Sequence, residues 1–441
     1  MKLLSFILTL IMLPVWVGIG WSYPMDGYGH TGISRLQGLL KVRQGKISGP
    51  KRVAGAKLGI DQVDLRLTGF SSFTMPAPDP DLVVRIQTLL GEDADNYGIA
   101  VLDMTDTKAP RYAAIRGSYK SNPGSVGKLI VALGVFQTLA DIYPDDTEKR
   151  LDILRSTMVR ADAFIQSDHH KVPFWTPGQS RIQYRPIRQG NEASLWTYLD
   201  WMMSASSNAA AAMVQKQLLL MARFGRDYPV TKEIATAFFE ETAKKELGKW
   251  FAKGIQEPVI RNGLDIKAFR QGSFFTWGGK KKVPGTTSYA TPEALVQFLL
   301  KLEQGQLVDT FSSREIKRLL YMTGKRIRYA SSPALYQSAV YFKSGSLYKC
   351  KPEPGFKCIK YKGNVLNQLC SIAIIEHPAS QPKLHYLVAV MSNVLYKNSA
   401  VAHQTLATRL HRFLEKDHAE RLADSEKALL KKSEYTEKKI R

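Results

Sequence analysis

Segments with the alternating pattern of β-strands lie near both ends of this sequence, and mostly helical patterns fill the interval between them. Side chains along a strand point alternately to opposite faces, so such alternation marks a strand that packs within a sheet. We therefore predict an α+β fold of three layers (α/β/α), in which both chain ends complete one antiparallel sheet and the middle forms an all-helical subdomain. The predicted strands are residues 97–103, 111–115, 339–342, 371–375 and 386–391.

Helix signals set the limits of the folded domain. Asp79 opens a helix, and the last apolar helical pattern closes near residue 414. We therefore place a single domain at residues 79–418. Helical patterns dominate residues 147–208 within it.

The flanks of this domain have a different composition. Residues 23–78 are rich in Gly, Pro, Lys and Arg and show weak periodicity, which is typical of a linker or a loosely ordered basic N-terminal extension. Residues 419–441 carry charges of mixed sign. We predict that they form a solvated terminal helix or tail.

A run of uncharged, mostly apolar residues from Leu3 to Gly20 follows the positive start Met1-Lys2. Together with small residues at Gly20 and Ser22, these are the features of a secretory signal peptide. The run is nearly long enough to span a bilayer, so an uncleaved membrane anchor is the alternative. We predict that residues 1–22 direct the protein to the periplasm or the cell envelope.

The 441 residues carry a formal charge of +23. A field of this sign favours anionic partners, which include nucleic acid, acidic lipid and anionic cell-wall polymers. The basic residues are spread along the chain without a zinc-ligand spacing or an aromatic-basic RNA motif, which argues against nucleic acid. With export, an anionic envelope surface is the partner of this class that we expect.

Three cysteines fit an exported protein that uses few thiols. Cys350 and Cys358 bracket a turn-rich loop that could close a short disulfide in an oxidising compartment, and two unlinked thiols are the alternative. Cys370 lies on the approach to an apolar strand, where we predict a buried free thiol.

A serine and a lysine three positions apart, Ser125 and Lys128, stand at the predicted start of an apolar helix. Residues three apart on a helix point to one face, so the amine lies within reach of the hydroxyl. A serine needs such a base to become a nucleophile at neutral pH, and the helix N-terminus adds free backbone N–H groups. Two other copies of this spacing lie outside helices, one in a Gly- and Pro-containing segment and one after a strand: Ser48/Lys51 and Ser346/Lys349.

Two further motifs follow in order along the chain. Ser206-Ser207-Asn208 ends a helical segment, and Lys343-Ser344-Gly345-Ser346 leaves the end of an apolar strand. The ordered set Ser-x-x-Lys, Ser-Asp-Asn and Lys-Thr-Gly is the signature of class A β-lactamases and penicillin-binding proteins. The sequence resembles this penicillin-recognising serine hydrolase superfamily, and in particular its class A β-lactamase-like branch, over about residues 80–418. Serine stands at the positions of Asp and Thr in the signature.

The resemblance implies roles for four catalytic residues. Ser125 would attack a carbonyl carbon and form an acyl-enzyme, and Lys128 would accept its proton directly or through water. Ser206 would pass a proton to the leaving nitrogen. Lys343 would lie nearby and lower the pKa of the Ser206 hydroxyl.

The resemblance also implies a substrate-binding set. The backbone N–H groups of Ser125 and Ser346 would form an oxyanion hole, a device worth about 10²–10³ in rate per donor. Asn208 would hold the side-chain amide of the substrate, and the strand motif with Lys343 would receive its carboxylate. The implied binding residues are Asn208, Ser344, Gly345 and Ser346.

Class A β-lactamases release the acyl group with a glutamate on a loop between the second and third motifs. The segment from Glu257 to Asn262 is similar to that Glu-Pro…Asn loop but has one residue more before the asparagine. Glu257 is therefore a candidate deacylation base, and a surface carboxylate before a helix-breaking proline is the alternative. Asp168-His169-His170 offers metal-ligand residue types without a third ligand at a suitable spacing, so we predict a solvated polar loop, no metal and no cofactor.

Three functions fit these motifs. The first is a serine hydrolase that opens β-lactams through a Ser125 ester. The second is a D-alanyl-D-alanine carboxypeptidase or another penicillin-binding protein that acts on peptidoglycan stem peptides with the same residues. The third is a non-hydrolytic cell-wall-binding relative, which the basic charge would suit.

Overall fold

The computed structural model describes residues 23–440, with side chains through Lys427, so the predicted signal peptide or anchor at residues 1–22 lies outside the described residues. Eleven strands occur within the described part: β1 (Tyr97–Asp103), β2 (Arg111–Ile115), β3 (Met158–Arg160), β4 (Lys171–Phe174), β5 (Gln183–Pro186), β6 (Glu192–Ser194), β7 (Phe269–Arg270), β8 (Tyr289–Ala290), β9 (Ala339–Lys349), β10 (Leu366–His377) and β11 (Leu384–Asn393).

The helices are α1 (Tyr28–Thr31), α2 (Ser34–Arg43), α3 (Pro80–Leu90), α4 (Lys128–Ile142), α5 (Thr147–Ser156), α6 (Leu195–Met203), α7 (Asn208–Phe224), α8 (Lys232–Glu241), α9 (Lys244–Phe251), α10 (Glu257–Arg261), α11 (Trp277–Lys282), α12 (Pro292–Glu303), α13 (Thr310–Leu320) and α14 (Ser399–Ile440). The start of α3 follows from its sequence, because the Asp79 carboxylate accepts a hydrogen bond from the Leu82 N–H at 3.0 Å and Pro80 occupies the first helical position. The predicted C-terminal tail is helical, as the last part of α14.

Five strands form the central antiparallel sheet in the order β2-β1-β11-β10-β9. The N-terminal pair β1 and β2 joins the three C-terminal strands through the β1–β11 ladder, which confirms that both chain ends complete the sheet. Along β11, Leu387, Ala389 and Met391 face one core, and the alternate residues face a second core with α3 and α14. This alternation gives the predicted three layers.

The helical subdomain is built around α4, most of whose residues are buried. By length and composition alone, Gly124–Ile142 is the one helical stretch in residues 23–440 that could cross a membrane, and it is mostly buried inside the protein. A core helix passes the same test. The helix therefore belongs to the interior of the domain.

The prediction of helical structure over residues 147–208 is wrong in its central part. Helices α5 and α6 are present, but two small antiparallel pairs, β3–β6 and β4–β5, lie between them. These strands are only three or four residues long. Strands this short do not complete enough periods of alternation to be recognised in a sequence.

The prediction of a loosely ordered extension at residues 23–78 is also wrong. Helix α2 buries Leu36 and Leu39 in the main core, together with Tyr23 from the start of the segment. The hydroxyl of Tyr23 donates to the buried Glu315 carboxylate at 2.6 Å. The segment is therefore part of the folded domain.

The glycines of this segment serve close packing. A Cβ atom on Gly38 would lie 2.8 Å from the Trp175 ring, and one on Gly55 would lie 1.9 Å from the Ser338 carbonyl oxygen. Glycine is needed where two elements approach this closely. In a sequence, such glycines have the same appearance as those of a flexible linker.

A buried ion-pair network holds the same segment to the sheet. The Lys317 ammonium on α13 lies 2.6 Å from carboxylate oxygens of both Glu303 and Glu376. Arg66 binds Glu376 at 3.0 Å and donates its backbone N–H to Glu303 at 2.8 Å. All three groups at the centre of the network are fully buried.

Cys350 and Cys358 form a disulfide with a Cα–Cα distance of 6.1 Å. Cys370 is a buried free thiol on β10. The structure therefore has the disulfide rather than the two unlinked thiols, and the prediction of a buried free thiol at Cys370 is confirmed.

Candidate active site

Ser125 lies in a tight helical turn, Gly124–Gly127, that leads directly into α4. Lys128 is the first residue of α4, and its Nζ lies 2.7 Å from the Ser125 Oγ. The backbone favours glycine at position 124, and a side chain at position 127 would displace the end of the Gln271 side chain. Gly124 has a φ of +54°, and a Cβ atom on Gly127 would lie 2.1 Å from the Gln271 Oε1.

The surroundings of Lys128 fit a neutral amine. Besides Ser125, its Nζ meets two oxygen atoms that can only accept, the Ser206 carbonyl at 3.1 Å and the Asn208 Oδ1 at 2.7 Å. A neutral amine has two N–H groups for these acceptors and one lone pair for the serine hydroxyl. The Phe275 ring covers the amine, with its centroid 4.3 Å from Nζ.

The pKa of Lys128 agrees with this assignment. Burial lowers the pKa of Lys128 most strongly, the negative Asp168 raises it and the positive Arg328 lowers it, and together they bring this pKa to about 7. At neutral pH a large fraction of the amine is therefore unprotonated, as a general base must be.

Ser206 stands on the turn between α6 and α7, as the sequence predicts. Its φ of +57° is in the left-handed region, which an L-residue with a side chain adopts only when its surroundings hold it there. The Lys343 Nζ donates to the Ser206 Oγ at 2.8 Å. Burial, followed by the charges of Lys128 and Arg328, holds the pKa of Lys343 well below its usual range.

The Lys343-Ser344-Gly345-Ser346 motif on β9 packs directly against the Gly124–Gly127 turn that carries Ser125. A Cβ atom on Gly345 would lie 2.3 Å from the Ser125 backbone nitrogen and 2.2 Å from the Pro123 carbonyl oxygen. A Cβ atom on Gly124 would in turn lie 3.2 Å from the Ser346 nitrogen. Only glycine at position 345 permits this close approach of the β9 backbone to the backbone of Ser125.

Arg328, which no sequence motif indicates, completes the strand side of the site. Its guanidinium donates to the hydroxyls of Ser344 at 2.7 Å, Ser346 at 3.1 Å and Tyr361 at 3.0 Å. Arg328 has a φ of +52° and lies 15 residues before Lys343, in a segment without a recognisable motif. Nothing in the sequence distinguishes it from the other basic residues.

The prediction of a solvated loop at Asp168-His169-His170 is wrong for the aspartate. The Asp168 side chain is only 2% exposed. One of its oxygens accepts from the Ser207 Oγ and the Ala209 N–H, both at 2.8 Å, and the other is 2.5 Å from the His170 Nδ1. Burial raises the pKa of Asp168, but the hydrogen bonds and the charge of His170 hold it well below the usual range.

Asp168 therefore supports the Ser206 turn. The Ser207 hydroxyl that donates to Asp168 also accepts from the Ala210 N–H and so caps α7. Serine at position 207 can make both contacts, because a hydroxyl donates and accepts. An aspartate at that position would meet the carboxylate of Asp168.

The structure does not bring Glu257 into the site. Glu257 is exposed, starts α10 and does not line the active-site cavity. The rest of its motif is structural, since the Asn262 side chain donates to Gln137 at 2.9 Å and to the Pro258 carbonyl at 2.7 Å. The surface-carboxylate alternative for Glu257 is the one that agrees with the structure.

A cavity of about 920 Å³ joins these groups. Seven of the eight predicted catalytic and binding residues line it, and the eighth, Lys128, lies buried beneath Ser125. Asp168 is the only carboxylate among the lining residues. The basic residues that line it are Lys171, Lys280, Arg328, Lys343 and Lys360.

The sequence profile of the beta-lactamase enzyme family matches residues 81–413, about three quarters of the chain. The chain belongs to the beta-lactamase enzyme family. Membership in this family supports a β-lactamase-like serine hydrolase as the general class of the protein. A comparison with curated protein sequences found no match to this chain.

Solved structures of this β-lactamase-like fold include PBP-A, with 13% identity, a TM-score of 0.48, and coverage of 78% of this chain and 100% of that chain. The TLA-3 extended-spectrum beta-lactamase has 15% identity and a TM-score of 0.49, covering 76% of this chain and 98% of its own. A beta-lactamase from Chitinophaga pinensis has 14% identity and a TM-score of 0.47, with the same two coverages of 76% and 98%.

Proposed function

We propose that this protein opens β-lactam amides by forming an ester on Ser125. The observation that carries the proposal is the 2.7 Å contact between the Ser125 hydroxyl and a buried lysine amine whose pKa is lowered to about 7. A serine beside an unprotonated base is an activated nucleophile.

Acylation uses groups that already face the nucleophile. Lys128 takes the Ser125 proton as the oxygen attacks the lactam carbonyl carbon, and the developing oxyanion accepts hydrogen bonds from the amides of Ser125 and Ser346. The Ser206 hydroxyl gives a proton to the nitrogen that leaves. The proton that Lys128 took from Ser125 then restores the Ser206 hydroxyl, which the hydrogen bond from Lys343 at 2.8 Å holds in place.

The strand side of the cavity supports an anionic substrate. Arg328 binds the hydroxyls of Ser344 and Ser346 and leaves both facing the cavity beside Lys343. A carboxylate is the group that this combination of hydroxyls and cations would bind best. β-Lactams and peptidoglycan stem peptides both carry one.

Release of the acyl group is the step for which the cavity is poorly equipped. Its one carboxylate, Asp168, is engaged by three donors and supports the Ser206 turn, and Glu257 is exposed elsewhere. Lys128 is the base that remains next to the ester. We therefore propose that the Ser125 acyl-enzyme is hydrolysed slowly.

Slow release favours the second candidate function, a penicillin-binding protein or D-alanyl-D-alanine carboxypeptidase that acts on peptidoglycan. The specific observation in its favour is the position of Glu257 outside the cavity. Export to the periplasm or the cell envelope, directed by residues 1–22, is part of the same proposal, as is contact of the basic chain with an anionic envelope surface.

Labelling with a fluorescent penicillin tests the proposal. The purified protein is mixed with the label, and intact mass and in-gel fluorescence are followed over hours, with Ser125→Ala as the matched control. We expect one label per chain at Ser125 that persists for many minutes, and no label on the control. Rapid loss of the label would contradict slow release and indicate an efficient β-lactamase. No labelling at all would contradict the acylation proposal and leave a non-hydrolytic binding protein.

A further inference from the structure

Two histidines and a glutamate converge at the far end of the sheet from the active site. His377 is the last residue of β10, and His411 and Glu415 lie one turn apart on α14. The Glu415 Oε1 is 3.1 Å from the His377 Nε2 and 3.7 Å from the His411 Nε2, and all three atoms lie within 4.8 Å of one another. Six residues of β10 separate His377 from Ser371, the partner of Ser344, which is about 20 Å of strand.

We propose that this cluster is a binding site for a divalent zinc ion. Two imidazole nitrogens and one carboxylate oxygen are a known zinc ligand set, in which the fourth position is left to water. Zinc bonds of about 2.0–2.1 Å at a tetrahedral angle place ligand atoms about 3.3–3.4 Å apart. The two observed distances to Glu415 lie on either side of this value, so small side-chain rotations complete the geometry.

Hydrogen bonds from neighbouring residues fix both imidazoles for this purpose. The His377 Nδ1 is 3.0 Å from the Ser338 hydroxyl, and the His411 Nδ1 is 3.2 Å from the Tyr386 hydroxyl. The Nδ1 of each ring is therefore hydrogen-bonded to a hydroxyl oxygen, and the Nε2 of each ring points to the centre of the cluster. Metal-binding histidines are held in this way, because the second hydrogen bond fixes the ring orientation and the tautomer.

The His411 nitrogen gives independent support. His411 is fully buried, and its Nε2 is a buried atom without a hydrogen-bond partner among the described residues. A buried polar atom of this kind needs an explanation.

A second cluster in the molecule shows what separates a metal site from a structural ion pair. Glu303, Glu376 and His385 also converge, but the ammonium of Lys317 already lies between the two carboxylates at 2.6 Å from each. A metal ion would have to displace it. Glu415 pairs with the two histidines, and no lysine or arginine ion pair to it occurs in the described part of the chain.

The site would join the end of β10 to α14, elements that lie 34 residues apart between His377 and His411. That separation explains why no zinc-ligand spacing is visible in the sequence. Glu415 is 39% exposed and His377 is 21% exposed, which gives the ion access from solvent.

The test uses the full chain without a histidine tag, stripped with a chelator and titrated with ZnCl₂ by calorimetry and by thermal melting. Glu415→Gln removes the carboxylate charge from a partly exposed position. Its matched control is Glu420→Gln, which removes an exposed carboxylate from the same helix. Ser338→Ala removes the hydroxyl that orients His377.

We expect one zinc ion per wild-type chain and a higher melting temperature when zinc is present. Glu415→Gln should weaken zinc binding by at least ~10–100-fold, and Ser338→Ala by about 10-fold, while Glu420→Gln should bind as the wild type does. Absence of zinc binding by the wild type would overturn the proposal. Equal binding by wild type and Glu415→Gln would also overturn it, because the ion would then lie elsewhere, such as at Asp168 and His170.

Discussion

Lys128 and Lys317 are both fully buried and have opposite surroundings. The Lys317 ammonium lies 2.6 Å from each of two glutamates and donates to the Asp64 carbonyl at 2.7 Å. The Lys128 amine lies against three uncharged oxygen atoms and the face of a phenylalanine ring. The residue type and the burial are the same, and the partners differ in charge.

The partners decide what each lysine can do. Burial disfavours an ammonium ion, and a carboxylate in contact restores it. Lys317 has two carboxylates in contact with its ammonium. Burial raises the pKa of Glu303, but the charges of Lys317 and then His385 lower it to about 2. At Lys128 the nearest carboxylate, Asp168, hydrogen-bonds to other donors, and the pKa of Lys128 is lowered to about 7. Lys317 is a structural cation, and Lys128 has the surroundings that the proposed base requires.

Removal of the base should have the largest effect. Lys128→Met should slow acylation of Ser125 by about 10²–10⁴-fold, the usual contribution of a general base. The rate is measured in a stopped-flow instrument with a chromogenic β-lactam. Circular dichroism serves to show that the variant is folded. An unchanged acylation rate in a folded variant would mean that another group activates Ser125.

Removal of the structural cation should act on stability. Lys317→Met removes the buried ammonium from Glu303 and leaves Arg66 as the cation on Glu376, so we expect the free energy of unfolding to fall by about 3–5 kcal/mol in urea titrations. The folded fraction should acylate at the wild-type rate, because Lys317 lies outside the cavity. The double variant Lys317→Met/Glu303→Gln should recover part of the loss. No recovery would show that the charge of Glu303 does not cause the instability.

A carboxylate placed beside Lys128 should keep its amine protonated, as the two glutamates do for Lys317. Phe275→Glu puts an acid where the ring now lies 4.3 Å from the amine, and an opposite charge at this range raises a lysine pKa by about 1–3 units. Acylation at pH 7 should therefore fall by about 10–10³-fold and recover at higher pH. In the control Phe275→Gln, the side chain has the shape of glutamate without its charge. This variant should keep the wild-type pH profile. Identical profiles for the two variants would contradict the assignment of Lys128 as the base.

The sequence was sufficient for those parts of the site that lie in regular elements. The Ser125/Lys128 pair starts a helix, and the Lys343 motif lies on a strand of the central sheet, so local patterns and motif order located both. The sheet itself was predictable because β1, β2 and the three C-terminal strands carry clear strand patterns.

The remaining parts depend on contacts that a sequence pattern does not record. Arg328 and Asp168 reach the site from irregular segments, where no periodicity marks the residues that turn inward. Gly38 and Gly55 resemble linker glycines and are in fact points of close approach. The similarity of Glu257 to a deacylation motif was misleading, since its Pro258 and Asn262 neighbours are used for packing.

The pH dependence of acylation tests the contrast between the two lysines most directly. Under the proposal that unprotonated Lys128 is the base, its lowered pKa predicts that the acylation rate at Ser125 rises about tenfold per pH unit below pH 7. The rate should level off above an inflection at about 7. The measurement is the single-turnover rate from pH 5 to pH 11 with a β-lactam that is stable over that range. A rate that keeps rising to an inflection near the usual lysine value of 10.5 would contradict the account, because Lys128 would then be a cation at neutral pH, as Lys317 is in its pair of carboxylates.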